Sequence, residues 1–133
     1  MKQPRGLRNC NPGNIRLSKD KWLGLRKEQT DGSFFQFETM AYGYRALMRT
    51  IQTYRRKHGL QTIADLIGRW APSHENNTSS YITAVCQKMQ VPTTFVPDVD
   101  DKDTMCALAA AISEVENGIG AQMAEVRAGW DLL

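Results

Sequence analysis

The sequence predicts an α+β fold for residues 1–133, mostly helical and led by a small N-terminal antiparallel sheet. Three observations lead to this class. Short apolar runs separated by polar turns occupy residues 14–37, apolar stripes with helical spacing follow after residue 39, and no internal repeat appears. At 133 residues and 41% hydrophobic composition, the chain is long enough to bury a core as a single domain.

The N-terminal part is predicted to be a loop followed by short strands. Residues 1–13 are rich in Pro, Gly and Asn, which is typical of an ordered loop. Apolar runs follow at 14–17, 22–25 and 34–37, and an Asp-Gly pair at 31–32 favours a turn. We therefore expect a hairpin or small antiparallel sheet here.

Helical spacing begins after the predicted sheet. Thr39 is the expected N-cap of the longest helix, which should end at Gly59. Thr62 opens a capping-box-like sequence, so a short helix is expected from there to Trp70. Pro72 should then break the chain's helical path.

Three further helices are expected in the C-terminal half. Asn77 or Thr78 should cap the first of them, and residues 91–103 should form an acidic loop. The next helix should end at Gly118, and residues 121–127 should form a last short helix. The helix before Gly118 carries a single apolar stripe made of Met105, Leu108, Ile112 and Val115.

Charge is divided unevenly along the chain. Residues 1–69 hold 14 Lys/Arg and 5 Asp/Glu, a balance of +9, and residues 70–133 hold 3 and 9, a balance of −6. A basic half can attract nucleic acid or an anionic cell-wall polymer, or it can be a solvated surface that the acidic half partly neutralises. No helix-turn-helix or ribonucleoprotein signature occurs, so we do not expect a nucleic-acid partner.

Several protein classes are not expected from the composition. No apolar run reaches transmembrane length and the first residues are too polar for a signal peptide, so we expect a protein made in the cytoplasm without membrane insertion. The three cysteines lack a Cys-x-x-Cys pair and no His-Glu-x-x-His stretch exists. We therefore expect no disulfide scaffold, no metal and no cofactor, and we expect a monomer.

Glu116 is the predicted catalytic residue. It lies four residues after Ile112, at the end of the predicted helix, and borders the apolar stripe. Partial burial and the negative end of the helix dipole both favour the protonated carboxyl, which suits proton donation to a leaving group. The alternative is a solvated side chain at a helix end. Glu75 and Glu38 precede helices, where the positive dipole end favours a carboxylate.

Side chains that suit sugar recognition cluster in two loops. In the first loop, the amides of Asn11 and Asn14 can pair with hydroxyl and acetamido groups, and the indole of Trp22 can stack on a pyranose ring. The alternative is that these amides satisfy the backbone of a Pro-Gly turn. The second loop holds Trp70 and Glu75. The alternative for Trp70 is packing in the core, and the alternative for Glu75 is an interaction with the positive end of a helix dipole.

Six segments together carry a family resemblance: Arg5-Gly6-Leu7-Arg8-Asn9-x-Asn11-Pro12-Gly13-Asn14-Ile15-Arg16, Trp22-x-Gly24, Tyr42-Gly43-Tyr44-Arg45-Ala46-Leu47, Arg69-Trp70-Ala71-Pro72, Glu75-Asn76-x-Thr78-x-x-Tyr81 and Glu116-Asn117-Gly118. As a set, and over nearly the whole chain, they resemble phage and prophage cell-wall-degrading proteins. That group is sometimes labelled virion structural protein and is similar to the lytic protein of cystoviruses.

The resemblance implies a single lysozyme-like domain over residues 1–133 and an enzyme that degrades peptidoglycan. The segment from Glu75 to Tyr81 is similar, with altered spacing, to a cleft segment of soluble lytic transglycosylases. The helix end at Glu116 is similar to the one that carries their catalytic Glu. Because the Glu helix precedes the sheet in those enzymes, the order here implies a circular permutation. Without a permutation, Glu75 or Glu38 takes the catalytic role.

The expected reaction is cleavage of the glycan strand between N-acetylmuramic acid and N-acetylglucosamine. Glu116 is the single acid and base, because no convincing second carboxyl lies at a readable spacing, so a lytic transglycosylase is expected in preference to a hydrolysing muramidase. Asn14, Glu75 and Tyr81 are expected to orient the sugars, and Trp22 to stack on them. The protein should act at the cell wall, and its delivery, in a virion or otherwise, stays open. The alternatives are a stem-peptide endopeptidase and a non-catalytic virion structural or nucleic-acid-binding module.

Overall fold

The computed structural model describes residues 3–133 of the chain. Within that range it contains six helices: α1 (Arg5–Arg8), α2 (Met40–His58), α3 (Ile63–Trp70), α4 (Thr78–Met89), α5 (Lys102–Asn117) and α6 (Met123–Asp131). Helix α2 packs along α6, and α5 packs against both α4 and α6. None of these helices is long and apolar enough to cross a membrane.

Five of the predicted helix ends are confirmed by the capping geometry. The side chains of Thr39, Thr62 and Asn77 each accept a hydrogen bond from a backbone N–H three residues further on. Gly59 and Gly118 follow α2 and α5 in the left-handed conformation, with φ of 64° and 70°. These signals lie within one helical turn of the residues they organise, which explains why the sequence alone revealed them.

Two helices in the second half of the chain differ from the prediction in their bounds. Helix α5 begins at Lys102, because Asp101 accepts a hydrogen bond from the backbone N–H of Thr104 and caps it inside the predicted loop. Helix α6 continues past residue 127 to Asp131. Gly129 lies inside α6 and packs closely on α2, where a Cβ would lie 2.5 Å from the Tyr44 Cβ.

The predicted α+β, lysozyme-like class with its leading antiparallel sheet is wrong. Residues 3–133 are helical with irregular connections, and their strand pairing is limited to two isolated antiparallel bridges, Arg16 with Phe34 and Leu25 with Phe37. The first residues, predicted as loop, also include α1. The circular permutation was inferred from a sheet that precedes the Glu116 helix. Since residues 3–133 contain no sheet, the structure does not support that inference.

Side-chain amides take the hydrogen bonds that a sheet would have made. The Asn11 amide nitrogen donates to the carbonyls of Ile15 and Phe35, at 3.0 Å each, and its oxygen accepts from the Ile15 N–H at 2.9 Å. The Gln36 amide oxygen accepts from the Thr30 N–H at 2.6 Å. Because these backbone groups already have partners, Phe35 and Phe37 of the third apolar run are buried without forming a continuous strand, whereas Leu17 and Leu23 of the first two runs are exposed.

Two hydrophobic clusters hold the chain together. The larger one contains side chains of α2, α3, α4, α5 and α6, together with the buried Val99 of the acidic loop. The smaller one lies beneath the N-terminal loop and consists of Phe35, Phe37 and Ala46. Since Ala46 belongs to α2, this helix contributes to both clusters and joins the loop to the helical body.

Asp31 is the electrostatic centre of the N-terminal loop. Its carboxylate accepts two hydrogen bonds from the Arg5 guanidinium, at 2.6 and 2.7 Å, and one from the Asn9 amide at 2.9 Å. The backbone N–H groups of Ser33 and Phe34 donate to it as well. The hydrogen bonds from Arg5 and Asn9 hold the pKa of Asp31 well below its ordinary value.

We predict that Asp31→Asn lowers the melting temperature at neutral pH. Because the pKa of Asp31 is depressed in the folded state, its stabilising effect is present above the unfolded-state pKa of about 3.9 and declines as the pH falls. The difference from the wild type should therefore narrow below about pH 4. Thermal unfolding across pH measures this, with the exposed Asp20→Asn as control. A difference that does not change with pH would contradict the assignment.

Candidate active site

A groove of about 390 Å³ lies between the N-terminal loop, α2, the connection from α3 to α4, and the end of α5. Its walls combine aromatic, amide and carboxyl side chains with backbone of the first loop. The lining residues are Gly13, Asn14, Ile15, Arg16, Phe34, Thr50, Tyr54, Trp70, Ala71, Glu75, Asn76 and Glu116. The groove therefore brings together residues from both halves of the sequence.

Glu116 lies in the wall of this groove, in the last turn of α5. Its side chain is half-buried, and each carboxyl oxygen has one hydrogen-bond partner. The Asn14 amide nitrogen donates to Oε1 at 2.9 Å, and the Tyr81 hydroxyl lies 2.7 Å from Oε2. The carboxyl is thus held in a defined orientation by residues far away in the sequence.

Asn117 anchors the first loop next to Glu116. Its amide nitrogen donates to the Pro12 carbonyl and to the Ser113 carbonyl, at 2.9 Å each, and the side chain is buried. Asn14 has a φ of 50°, a left-handed conformation that Asn adopts more readily than most other residues. The loop thereby presents the Asn14 amide to Glu116.

Tyr81 lies behind Glu116, outside the groove lining, with 7% of its surface exposed. Burial raises the pKa of Tyr81 well above its ordinary value, and the neighbouring charge of Glu116 raises it further. The hydroxyl therefore stays protonated at physiological pH and can donate a hydrogen bond to the carboxylate.

Aromatic rings form much of the remaining wall. Trp70 packs against the loop at Gly13, where a Cβ would lie 2.6 Å from the Trp70 Cζ2 atom. Tyr54 and Phe34 line the same groove, and the Arg16 guanidinium lies 5.3 Å from the centre of the Phe34 ring. Flat apolar faces beside amide groups are well suited to binding sugar rings.

Glu75 is the second carboxyl of the groove. Its Oε1 lies 3.3 Å from the Arg16 Nε, and both side chains are partly exposed. No group of three or more His, Cys, Asp or Glu side chains in the described part of the chain is arranged to hold a metal ion.

The predicted site residues divide into three groups. Glu116, Asn14, Trp70 and Glu75 line the groove, and Tyr81 supports it from behind. Asn11 is fully buried and hydrogen-bonded to backbone, Glu38 is exposed outside the groove, and Trp22 lines a different cavity. The groove lining also includes residues that were not predicted for the site, among them Arg16, Phe34, Thr50 and Tyr54. Of these, Thr50 and Tyr54 could have been grouped from the sequence, because residues four apart on a helix lie on the same face.

The described residues thus form a helical protein with a groove that combines the half-buried carboxyl of Glu116 with aromatic walls. No family model matches the chain. The chain is similar to Protein P5 of Pseudoalteromonas phage PM2, with 39% identity over 117 residues that span 86% of this chain and 71% of that protein. It belongs to the family of that phage protein, and the predicted bacteriophage origin is supported.

We predict that Gly6→Ala destabilises the fold at the site. A Cβ at Gly6 would lie 2.4 Å from the Asn117 Oδ1, and 2.9 Å from both the Asn11 carbonyl oxygen and the Asn14 Oδ1. Because backbone lies in the way, relief requires the loop to move, and overpacking of this kind costs about 1–3 kcal/mol. Urea unfolding measures the loss. The matched control is Gly32→Ala, where no atom lies within 4 Å; equal stability of the two variants would refute the close packing.

Proposed function

We propose that this protein is a phage lytic enzyme that cleaves peptidoglycan strands between N-acetylmuramic acid and N-acetylglucosamine, with Glu116 as general acid and base. The setting of Glu116 carries the proposal. It is a half-buried carboxyl in a groove wall, with Asn14 and Tyr81 each hydrogen-bonded to one of its oxygens. The aromatic rings and amides around it suit a glycan, and the site of action would be the cell wall.

The reaction needs two proton transfers. First, Glu116 gives its proton to the glycosidic oxygen as the bond from this oxygen to the anomeric carbon of the muramic acid breaks. The resulting carboxylate then takes a proton from the hydroxyl group that attacks that carbon. Attack by the 6-hydroxyl of the same sugar gives a 1,6-anhydro product, whereas attack by water gives a reducing end.

Asn14 and Tyr81 have different roles in this scheme. The Asn14 amide nitrogen can only donate, so Oε1 must act as an acceptor and Oε2 is the oxygen that carries the proton. The Tyr81 hydroxyl can donate to Oε2 in both protonation states, because a protonated carboxyl oxygen keeps a lone pair, and the Oε2 proton then stays free to face the substrate. It can therefore hold Glu116 in place before and after each transfer.

The position of Glu75 bears on the choice between transglycosylation and hydrolysis. A two-carboxylate mechanism needs a second acidic group in the same groove, and Glu75 lies there. Its ion pair with Arg16 engages one of its oxygens, so we favour the mechanism with Glu116 alone and expect anhydro sugars. Mass spectrometry of the released fragments distinguishes these products, and new free amines without sugar cleavage would indicate an endopeptidase instead.

We predict that Glu116→Gln abolishes the solubilisation of purified peptidoglycan. The amide keeps the shape of the side chain but cannot transfer a proton, and loss of general acid–base catalysis costs about 10²–10⁴-fold in rate. The fall in turbidity of a suspension of purified sacculi measures the rate, and the melting temperature checks the fold. The control is Glu28→Gln, an exposed residue outside the groove. Full activity of Glu116→Gln, or loss only in Glu75→Gln, would refute the assignment.

We predict that Tyr81→Phe lowers kcat by up to about 100-fold and leaves KM nearly unchanged, because it frees the orientation of Glu116 without removing a groove contact. The matched control is Tyr44→Phe, which removes another buried hydroxyl, hydrogen-bonded to the Ser113 Oγ at 3.0 Å, outside the groove. Steady-state kinetics on soluble glycan fragments separates the two parameters. A rise in KM alone would show that Tyr81 contacts the sugar.

A further inference from the structure

A second cavity, of about 590 Å³, continues from the candidate active site along α2. The two cavities share Ile15, Arg16, Thr50 and Tyr54 in their walls. Thr50 and Tyr54 are one helical turn apart on α2, so the shared wall follows the helix axis. A ligand that extends past Tyr54 from the active site therefore reaches this second cavity, which we call the basic pocket.

Positive charge dominates the basic pocket. Lys21, Lys57 and Arg69 line it, and all three side chains are exposed. Within residues 3–133 none of the three forms an ion pair. Asp20 is the one carboxyl among the residues that line the pocket, so the cations there outnumber the available negative charge. Such a pocket attracts an anionic group.

Arg69 is held in place at the boundary between the two cavities. Its guanidinium lies 5.2 Å from the centre of the Tyr54 ring, a cation–π arrangement. A guanidinium carries five N–H donors, so contact with Tyr54 leaves donors available for a carboxylate beside the ring. Tyr54 therefore joins a surface for sugar rings to a site for an anion.

The two cavities differ in charge. Apart from Arg16, which lines both, the ionisable side chains of the candidate active site include the carboxyls of Glu116 and Glu75, whereas the basic pocket has Lys21, Lys57 and Arg69 against Asp20. A nucleic acid is negative along its whole length, so its phosphates would meet the two carboxyls. A peptidoglycan strand has uncharged sugars and carries its carboxylates on the stem peptides, which matches the division of charge.

We propose that the basic pocket binds the carboxylates of the peptide stem attached to the muramic acid whose bond is cleaved. This inference rests on the proposed function, and it names the preferred substrate as glycan that still bears its peptides. Lys21 and Lys57 supply the charge, and Arg69 supplies directed donors beside the sugar site.

Direct binding tests the pocket without requiring turnover. The probe is the soluble stem peptide released from peptidoglycan by an amidase, titrated calorimetrically into the whole protein. We expect binding that weakens as salt is added, and a loss of about fivefold to tenfold when Lys21→Gln and Lys57→Gln are combined, since each is an exposed charge. The matched control is Lys27→Gln, an exposed lysine outside both cavities, which should bind as the wild type does.

Three outcomes would overturn the proposal: no binding of the peptide, equal loss in Lys27→Gln, or undiminished binding when the peptide's carboxylates are amidated. Binding of a single-stranded oligonucleotide, lost in the Lys21→Gln/Lys57→Gln variant while the peptide does not bind, would assign the pocket to nucleic acid instead.

Cleavage assays separate this inference from the proposed function. On intact peptidoglycan the Lys21→Gln/Lys57→Gln variant should be slower than the wild type, and on glycan stripped of its stems the two should be equal. If cleavage depends on Glu116 but the peptide does not bind, the inference about the basic pocket is wrong and the proposed function is supported. In a different outcome, the wild type binds the peptide, the double variant does not, and the wild type cleaves neither polymer. This outcome would contradict the proposed function but support the stem peptide as the ligand of the basic pocket.

Discussion

The contact between the end of α5 and the first loop determines whether the candidate site exists. Asn117 donates to the Pro12 carbonyl across 105 positions of sequence, and Asn14 donates to Glu116 across 102. A buried polar group left without a partner costs about 1–3 kcal/mol. The loop conformation and the helix end therefore stabilise each other, and the groove between them depends on both.

The N-terminal part shows how side chains can replace a sheet. The apolar pattern around Phe35 and Phe37 correctly indicated burial, and both rings lie in a hydrophobic cluster beneath the loop. Strand pairing did not follow, because the amides of Asn11 and Gln36 satisfy neighbouring backbone groups. Hydrophobic alternation reports which residues are buried, but hydrogen-bond competition decides whether they pair as strands.

The uneven distribution of charge along the sequence reappears as a separation of charge between the basic pocket and the groove. The cations of the basic pocket belong to the first half of the chain, and both groove carboxyls, Glu75 and Glu116, belong to the second. The Arg16–Glu75 pair lies where the two halves meet. Folding therefore converts a separation of charge along the sequence into a gradient along one surface, which can orient a ligand that is charged at one end.

The sequence by itself determined most of the helix ends, the apolar stripes and the location of Glu116 in the last turn of α5. These features arise from residues within one or two turns of each other, so they are legible without knowing the fold. Only the tertiary structure decided that Asn14 and Tyr81 contact Glu116, and that Trp22 lies in the wall of another cavity. Such contacts depend on how distant segments pack, and no local spacing encodes that packing.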